Sequence, residues 1–208
     1  MVSLIINVVI AVGSILAWLS IMFGRGSELE LALRGIKSLK YYTVLSNLFS
    51  AIACAIYALC FLVPARTPEP WILGLKLAST TTVMITFLTT ALLLAPVYGW
   101  HSMYKKGNFW LHLVLPLLAL VDVCLFVPIR TLSPWFALGA VAFTAAYAVG
   151  YLRPVLKYGA EKDGKVYDFY GFLRWGENGV WVVAAGMLLA SAGISLLLCL
   201  ANGALSVG

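Results

Sequence analysis

Long apolar stretches separated by short polar segments dominate the pattern of this sequence. A helix needs about 20 predominantly apolar residues to cross a bilayer, and the alternating pattern typical of a membrane β-strand is absent. Six stretches predict spanning helices: residues 2–23, 41–63, 71–95, 109–127, 135–152 and 179–200. The predicted fold is therefore an all-α integral membrane protein, in which residues 1–208 form a single six-helix transmembrane domain.

The first apolar stretch has the position of a secretory signal. It lacks a positively charged start, however, and it is longer than the apolar core of a typical signal. We therefore interpret residues 2–23 as the first spanning helix.

Composition and charge placement extend this picture. The chain is 62% hydrophobic and 11% charged, which excludes an ordinary soluble domain. Eleven of the fourteen Lys and Arg residues fall in the first, third and fifth loops. They are Arg25, Arg34, Lys37, Lys40, Lys105, Lys106, Arg153, Lys157, Lys162, Lys165 and Arg174. Basic loops prefer the cytoplasm, so both termini are predicted outside. The net charge of +6 then reflects the orientation of the chain in the membrane, and no nucleic-acid partner is expected.

Four cysteines, Cys54, Cys60, Cys124 and Cys199, lie in apolar stretches without metal-type spacing. We expect them to be free and structural. No metal site is predicted.

Two ionisable residues lie inside spanning stretches at comparable depth, toward the outer side: Lys76 in helix three and Asp122 in helix four. Such residues are costly in a membrane unless they are paired or lie on a pathway. A structural Lys76–Asp122 ion pair is one interpretation, and a proton or ion pathway is the other.

Thr43 lies in the first turn of predicted helix two, and Asn47 lies one turn deeper on the same face. A hydroxyl beside an amide could supply a nucleophile and an oxyanion donor. The alternative is structural: Thr43 bonds back to its own helix and Asn47 joins helices. Ser46, at four-residue spacing from Ser50, then belongs to a packing seam.

His112 lies a few residues inside predicted helix four, at the same depth as Thr43. Pro116 lacks the N–H that would bond the carbonyl of His112, so a locally opened turn is predicted there. Asp122 cannot orient His112 in a triad, because ten residues span about 15 Å along a helix. A structural histidine and a catalytic base both remain open.

Two further groups border the same predicted membrane face. Thr89 and Thr90 lie near the end of helix three and could line a cavity with Thr43. The fifth loop carries an aromatic cluster that forms either an interfacial belt or the lip of a lipid pocket. Its members are Tyr158, Tyr167, Phe169, Tyr170, Phe172 and Trp175.

Two segments carry a family resemblance: YYTVLSNLF and, about seventy residues later, HLVLPLLALVD, with a weaker likeness in YDFYGFL. They resemble the androgen-induced and androgen-dependent TFPI-regulating family, especially its small bacterial members. The resemblance implies a bacterial inner-membrane protein and a threonine hydrolase of fatty-acid esters of hydroxy fatty acids. It assigns the nucleophile to Thr43 and the base to His112.

The sequence leaves two main functional interpretations open. One is an intramembrane hydrolase of fatty-acyl esters that uses Thr43 and His112, with Asn47, Ser46, Thr89 and Thr90 around the substrate. It needs no cofactor, and its partners are the lipid substrate and the bilayer. The other is a small transporter or ion pathway through Lys76, Asp122 and His112. A scaffolding protein is a third, weaker possibility.

Overall fold

The computed structural model describes residues 1–23, 35–62, 67–105 and 107–205. Six helices are long and apolar enough to cross a membrane, which agrees with the predicted all-α bundle. They are α1 (Val2–Phe23), α2 (Tyr42–Cys60), α3 (Pro70–Tyr98), α4 (Gly107–Leu125), α5 (Pro134–Tyr158) and α6 (Phe172–Leu205). Arg25, Arg34, Arg66, Lys106 and residue 63 of the predicted second helix lie outside the described residues.

Helices α3 and α4 each contain a wide π-helical turn just before a proline. The turns are Thr90–Leu94, followed by Pro96, and Trp110–Val114, followed by Pro116. A proline removes one N–H from the helical ladder, and a π turn changes which carbonyls the remaining N–H groups reach. The opened turn predicted at His112 is therefore present as a π turn.

Helices α5 and α6 extend beyond their predicted bounds. Helix α5 continues through Pro154 to Tyr158, whereas the prediction ended it at 152. Helix α6 begins with a 3₁₀ turn at Phe172–Trp175, seven residues before the predicted start. Between them, β1 (Glu161–Lys162) and β2 (Lys165–Val166) form a short antiparallel hairpin.

The connections α1–α2, α3–α4 and α5–α6 meet at one end of the bundle, which we call the basic end. Its described segments are 35–41, 99–105 and 159–171. The hydroxyl of Tyr147 donates to the carbonyl of Lys40 (2.7 Å), and that of Tyr98 donates to the carbonyl of Tyr170 (3.0 Å). These bonds tie the first and third of these segments to α5 and α3.

The opposite end contains the largest apolar cluster. Tyr57, Leu73, Leu77, Val123 and Val127 pack there between α2, α3 and α4. Asn202 of α6 completes the end by donating to the Val123 carbonyl (2.8 Å) and the Val127 carbonyl (2.7 Å). Apolar packing and the Asn202 hydrogen bonds together close this end of the bundle.

Gly74 of α3 allows the Phe136 ring to pack against the helix backbone. A Cβ at Gly74 would overlap that ring. We expect Gly74→Ala to lower the free energy of unfolding by about 1–3 kcal/mol, because overpacking forces side chains out of place. Denaturant unfolding in detergent, followed by circular dichroism, measures the change. Gly193→Ala is the matched control because its Cβ meets nothing within 4 Å. Equal stability of Gly74→Ala and wild type would contradict this account.

Candidate functional site

Thr43 borders a small cavity at the basic end of the bundle. It lies in the first turn of α2 and is 8% exposed. The cavity, of about 40 Å³, lies between α2, α3, α5 and α6 and has room for a few water molecules. Its wall is aromatic and aliphatic apart from hydroxyl groups. The threonines in the wall are Thr43, Thr86, Thr89, Thr90 and Thr144, so the expectation that Thr89 and Thr90 share a cavity with Thr43 is met.

Tyr170 closes this cavity and caps α2. The backbone N–H of Tyr42 donates to the Tyr170 hydroxyl at 2.8 Å. Burial raises the pKa of Tyr170 above its ordinary value, so this hydroxyl keeps its proton. The neighbouring Tyr147 hydroxyl donates its hydrogen bond to the Lys40 carbonyl. The Tyr147 and Tyr170 hydroxyl oxygens lie 3.4 Å apart, so Tyr170 keeps its proton beside Tyr147 at the wall of the Thr43 cavity.

The aromatic cluster of the fifth loop supplies the lip of a pocket. Tyr170 and Phe172 line the Thr43 cavity, and Tyr167 and Phe169 line a neighbouring groove. Of the two interpretations left open by the sequence, the pocket lip describes these four side chains. Trp175 is 44% exposed, as a residue of an interfacial belt would be.

Asp168 holds this lip in place. Its carboxylate accepts the backbone N–H groups of Phe172 (2.9 Å) and Leu173 (2.7 Å), and it also accepts the Tyr151 hydroxyl. The sequence interpretation missed Asp168. The available signal was an acidic residue just before a helix start, where a carboxylate satisfies free N–H groups.

His112 is buried in the π turn of α4 and is oriented by a main-chain carbonyl. Its Nδ1 lies 3.0 Å from the carbonyl oxygen of Met103, in the helical turn Trp100–Met103. A carbonyl only accepts, so we assign the proton to Nδ1, which leaves Nε2 unprotonated. Nε2 is therefore the nitrogen that can take a proton. The orienting role that Asp122 is too distant to play belongs to Met103.

Asn47 links the neighbourhoods of Thr43 and His112. Its amide nitrogen donates to the Thr43 carbonyl (2.8 Å) and to the carbonyl of Leu111 (3.3 Å), the residue before His112. Both N–H groups already have carbonyl acceptors in this conformation, so an oxyanion would have to replace one of them. Asn47 instead joins α2 to α4, which is the structural alternative stated above.

Asn47 joins the main chain at Thr43 to the main chain beside His112, but the Thr43 hydroxyl and the His112 ring are not bonded. Within the described residues no hydrogen bond connects Thr43 Oγ1 to His112, and His112 is absent from the cavity wall. Thr43 and His112 therefore lie on α2 and α4 without a hydrogen bond between their side chains.

Ser46 and most hydroxyls of α3 are structural. The Ser46 hydroxyl contacts Thr86 Oγ1 at 2.8 Å, and Ser46 does not line the cavity. Thr81 and Thr82 donate to carbonyls of their own helix. Ser46 thus contacts α3, in keeping with the structural alternative, in which Ser46, Ser50 and Cys54 form a packing seam on α2.

Lys76 and Asp122 form a buried ion pair, with Nζ 3.1 Å from Oδ2. Lys76 also donates to Asn7 Oδ1 (2.8 Å) and to Cys54 Sγ (3.1 Å). Asp122 accepts Ser3 Oγ (2.6 Å) and Asn7 Nδ2 (2.7 Å). Every Lys76 proton has a partner, an arrangement typical of a structural pair. The sequence interpretation missed Ser3 and Asn7, although both are polar residues inside an apolar stretch.

The cysteines and the other metal-binding side chains of the described residues form no further site. All four cysteines are free. No group of three or more His, Cys, Asp or Glu residues within the described ranges could hold a metal ion.

Comparison with known proteins finds no matching family model, no matching curated protein and no matching solved structure.

Proposed function

We propose that this chain is an intramembrane hydrolase of fatty-acyl esters, with Thr43 as nucleophile and His112 as base. The observation that carries the proposal is the position of Thr43. A hydroxyl in the first turn of α2 borders a mostly apolar cavity, next to a tyrosine that keeps its proton. Such a site suits an ester that is already dissolved in the bilayer.

The proposed reaction has two balanced halves. Thr43 Oγ1 attacks the ester carbonyl carbon while His112 Nε2 takes its proton. The ester C–O bond then breaks, and the leaving alcohol takes that proton back. Water next attacks the acyl-threonine, gives a proton to His112 and releases the fatty acid. Thr43 recovers its proton from His112.

His112 has to approach Thr43 for this reaction. Catalytic hydrogen bonds are often long before the substrate binds and shorten in the complex. The Asn47 bridge joins the first turn of α2 to the Leu111 carbonyl, next to His112 in the chain. His112 lies in a π turn, a feature that is frequent at functional sites.

Tyr170 replaces Asn47 as the proposed oxyanion donor. Tyr170 lines the same cavity as Thr43, and its protonated hydroxyl accepts the Tyr42 N–H at the start of α2. A donor of this kind stabilises the negative oxygen of the tetrahedral intermediate. Tyr170 is held there by the Asp168-anchored lip.

A groove between α3 and α6 offers space for the acyl chain. It has a volume of about 320 Å³, and three of its lining residues, Thr89, Val183 and Met187, also line the Thr43 cavity. All its lining residues except Thr89 are apolar or glycine. An acyl chain can thus lie in the groove while its ester group reaches Thr43.

The substrate class and location follow the family resemblance. Fatty-acid esters of hydroxy fatty acids are the proposed substrates, and a bacterial inner membrane is the proposed location. The basic end then faces the cytoplasm, in keeping with the positive-inside rule, and supplies the hydrolytic water.

Labelling with an alkyl fluorophosphonate tests this function. The probe should phosphonylate Thr43 Oγ1 with loss of fluoride, and peptide mass spectrometry should locate the label. Thr43→Ala should abolish labelling, and Thr43→Ser should retain it. Thr131→Ala is the control, because Thr131 is exposed at the opposite end of the bundle. Labelling on Ser46, or equal labelling in Thr43→Ala, would sink the proposal.

A further inference from the structure

A second, larger groove lies on the outer face of the bundle between α2 and α5. Its volume is about 450 Å³, and nearly all of its lining side chains are apolar or aromatic. Ala146 and Gly150 of α5 form its exposed floor, and Phe143 stacks on Phe49 at 5.1 Å. In a bilayer such a surface faces acyl chains. The polar rim of the groove therefore determines which lipid headgroup it prefers.

The rim at the basic end is cationic. Lys40 lines the groove, and its main-chain carbonyl is held by the Tyr147 hydroxyl at 2.7 Å. The Nζ atoms of Lys157 and Lys162 lie 4.9 Å and 5.2 Å from the centre of the Tyr158 ring. That ring stacks on Tyr167, which lines the groove. Three ammonium groups are thus carried by the groove wall and by the aromatic pair beside it.

Among the described residues, acidic groups at this rim are fewer than basic ones. The groove wall contains no Asp or Glu among the described residues. The hairpin contributes Glu161, the register partner of Val166, and Asp163 in its turn. Lys162 and Lys165 are register partners across the same hairpin. The groove itself therefore presents one sign of charge.

We propose that this groove binds a glycerophospholipid with an anionic headgroup, with its phosphate at Lys40 and an acyl chain along Ala146 and Gly150. A basic residue near a membrane surface attracts anionic lipid and strengthens its binding about fivefold. Aromatic side chains beside it suit the interfacial glycerol region. Tyr147 and Tyr151 line both this groove and the Thr43 cavity, but lipid binding in the groove requires no hydrolysis and does not depend on the proposed ester chemistry.

The groove between α3 and α6 provides an internal comparison. It is of similar size, about 320 Å³, but it has no charged lining residue. Each groove contains one exposed glycine, Gly150 or Gly186, whose added Cβ would meet nothing within 4 Å. A Phe at either position can therefore fill its groove while the bundle still folds.

The experiment uses the full chain in nanodiscs of equal parts phosphatidylcholine and phosphatidylglycerol. After mild extraction, mass spectrometry counts the lipids that stay bound. Wild type should retain phosphatidylglycerol preferentially. Lys40→Gln should lower that retention about fivefold, and Gly150→Phe should remove it.

The controls are Lys37→Gln, an exposed lysine of the same 3₁₀ turn that does not line the groove, and Gly186→Phe in the uncharged groove. Both should retain phosphatidylglycerol. Equal loss in Lys37→Gln, or full retention in Gly150→Phe, would overturn the proposal. So would retention of oleate without phosphatidylglycerol in a parallel sample containing that fatty acid.

Discussion

Replacing Lys76 by Met is expected to lower the free energy of unfolding by about 3–5 kcal/mol, because it leaves the Asp122 carboxylate buried and unpaired. Both side chains are completely buried, and their charged atoms lie 3.1 Å apart. The three protons of the ammonium group go to Asp122, Asn7 and Cys54. The loss therefore disturbs partners on α1, α2 and α4 together. Unfolding in detergent by increasing dodecyl sulfate, followed by circular dichroism, measures it.

The double variant Lys76→Met with Asp122→Leu separates charge from packing. Removing both charges eliminates the unpaired carboxylate, so we expect most of the lost stability to return. Lys37→Met is the control, because an exposed lysine should change stability by no more than about 0.5 kcal/mol. A double variant as unstable as Lys76→Met alone would show that pairing is not the source of the effect.

The ion pair also separates the two main functional interpretations. A conduction pathway needs ionisable groups that exchange partners along its length. Here every ammonium hydrogen of Lys76 and both carboxylate oxygens of Asp122 already have partners. The hydroxyls of Thr81 and Thr82 in α3 donate to carbonyls of their own helix. A stability loss without a change in ester hydrolysis is therefore the expected behaviour of Asp122→Asn.

The sequence predicted the helices well because each membrane-spanning helix requires a long, uniformly apolar stretch. Their ends were predicted less well, because polar contacts decide them. Helix α6 begins at Phe172, ahead of its apolar stretch, since Asp168 accepts the N–H groups of Phe172 and Leu173. Helix α5 continues through Pro154, although proline usually marks a helix boundary.

The candidate site was only partly predictable for a related reason. Polar residues in apolar stretches identify Thr43 and His112, and helical spacing places Asn47 beside Thr43. The contacts that define their roles come from distant segments. Tyr170 is 128 residues from the Tyr42 N–H that it accepts. Met103 orients His112 through a main-chain carbonyl, which no side-chain pattern reveals.

The second large expected effect is a loss of ester hydrolysis when His112 is replaced. His112→Gln should reduce kcat/KM for a long-chain fatty-acyl ester by about 10²–10⁴-fold, because the general base is lost. A Gln amide can still donate to the Met103 carbonyl, so the π turn should keep its structure. Hydrolysis in detergent micelles, measured by release of the fatty acid, gives the rates. His101→Gln changes the only other histidine, which is exposed in the helical turn before α4, and should hydrolyse the ester normally.

Combining His112→Gln with Thr43→Ala shows whether the two residues act as a unit. Residues that serve one chemical step have strongly non-additive effects, so the double variant should be no slower than Thr43→Ala alone. If the two losses instead multiply, His112 contributes independently of Thr43, and its bond to Met103 is then a purely structural contact. Non-additive rates with unchanged unfolding free energies would require the two side chains to meet during catalysis. They would therefore identify the approach of α4 to the first turn of α2 as part of the reaction.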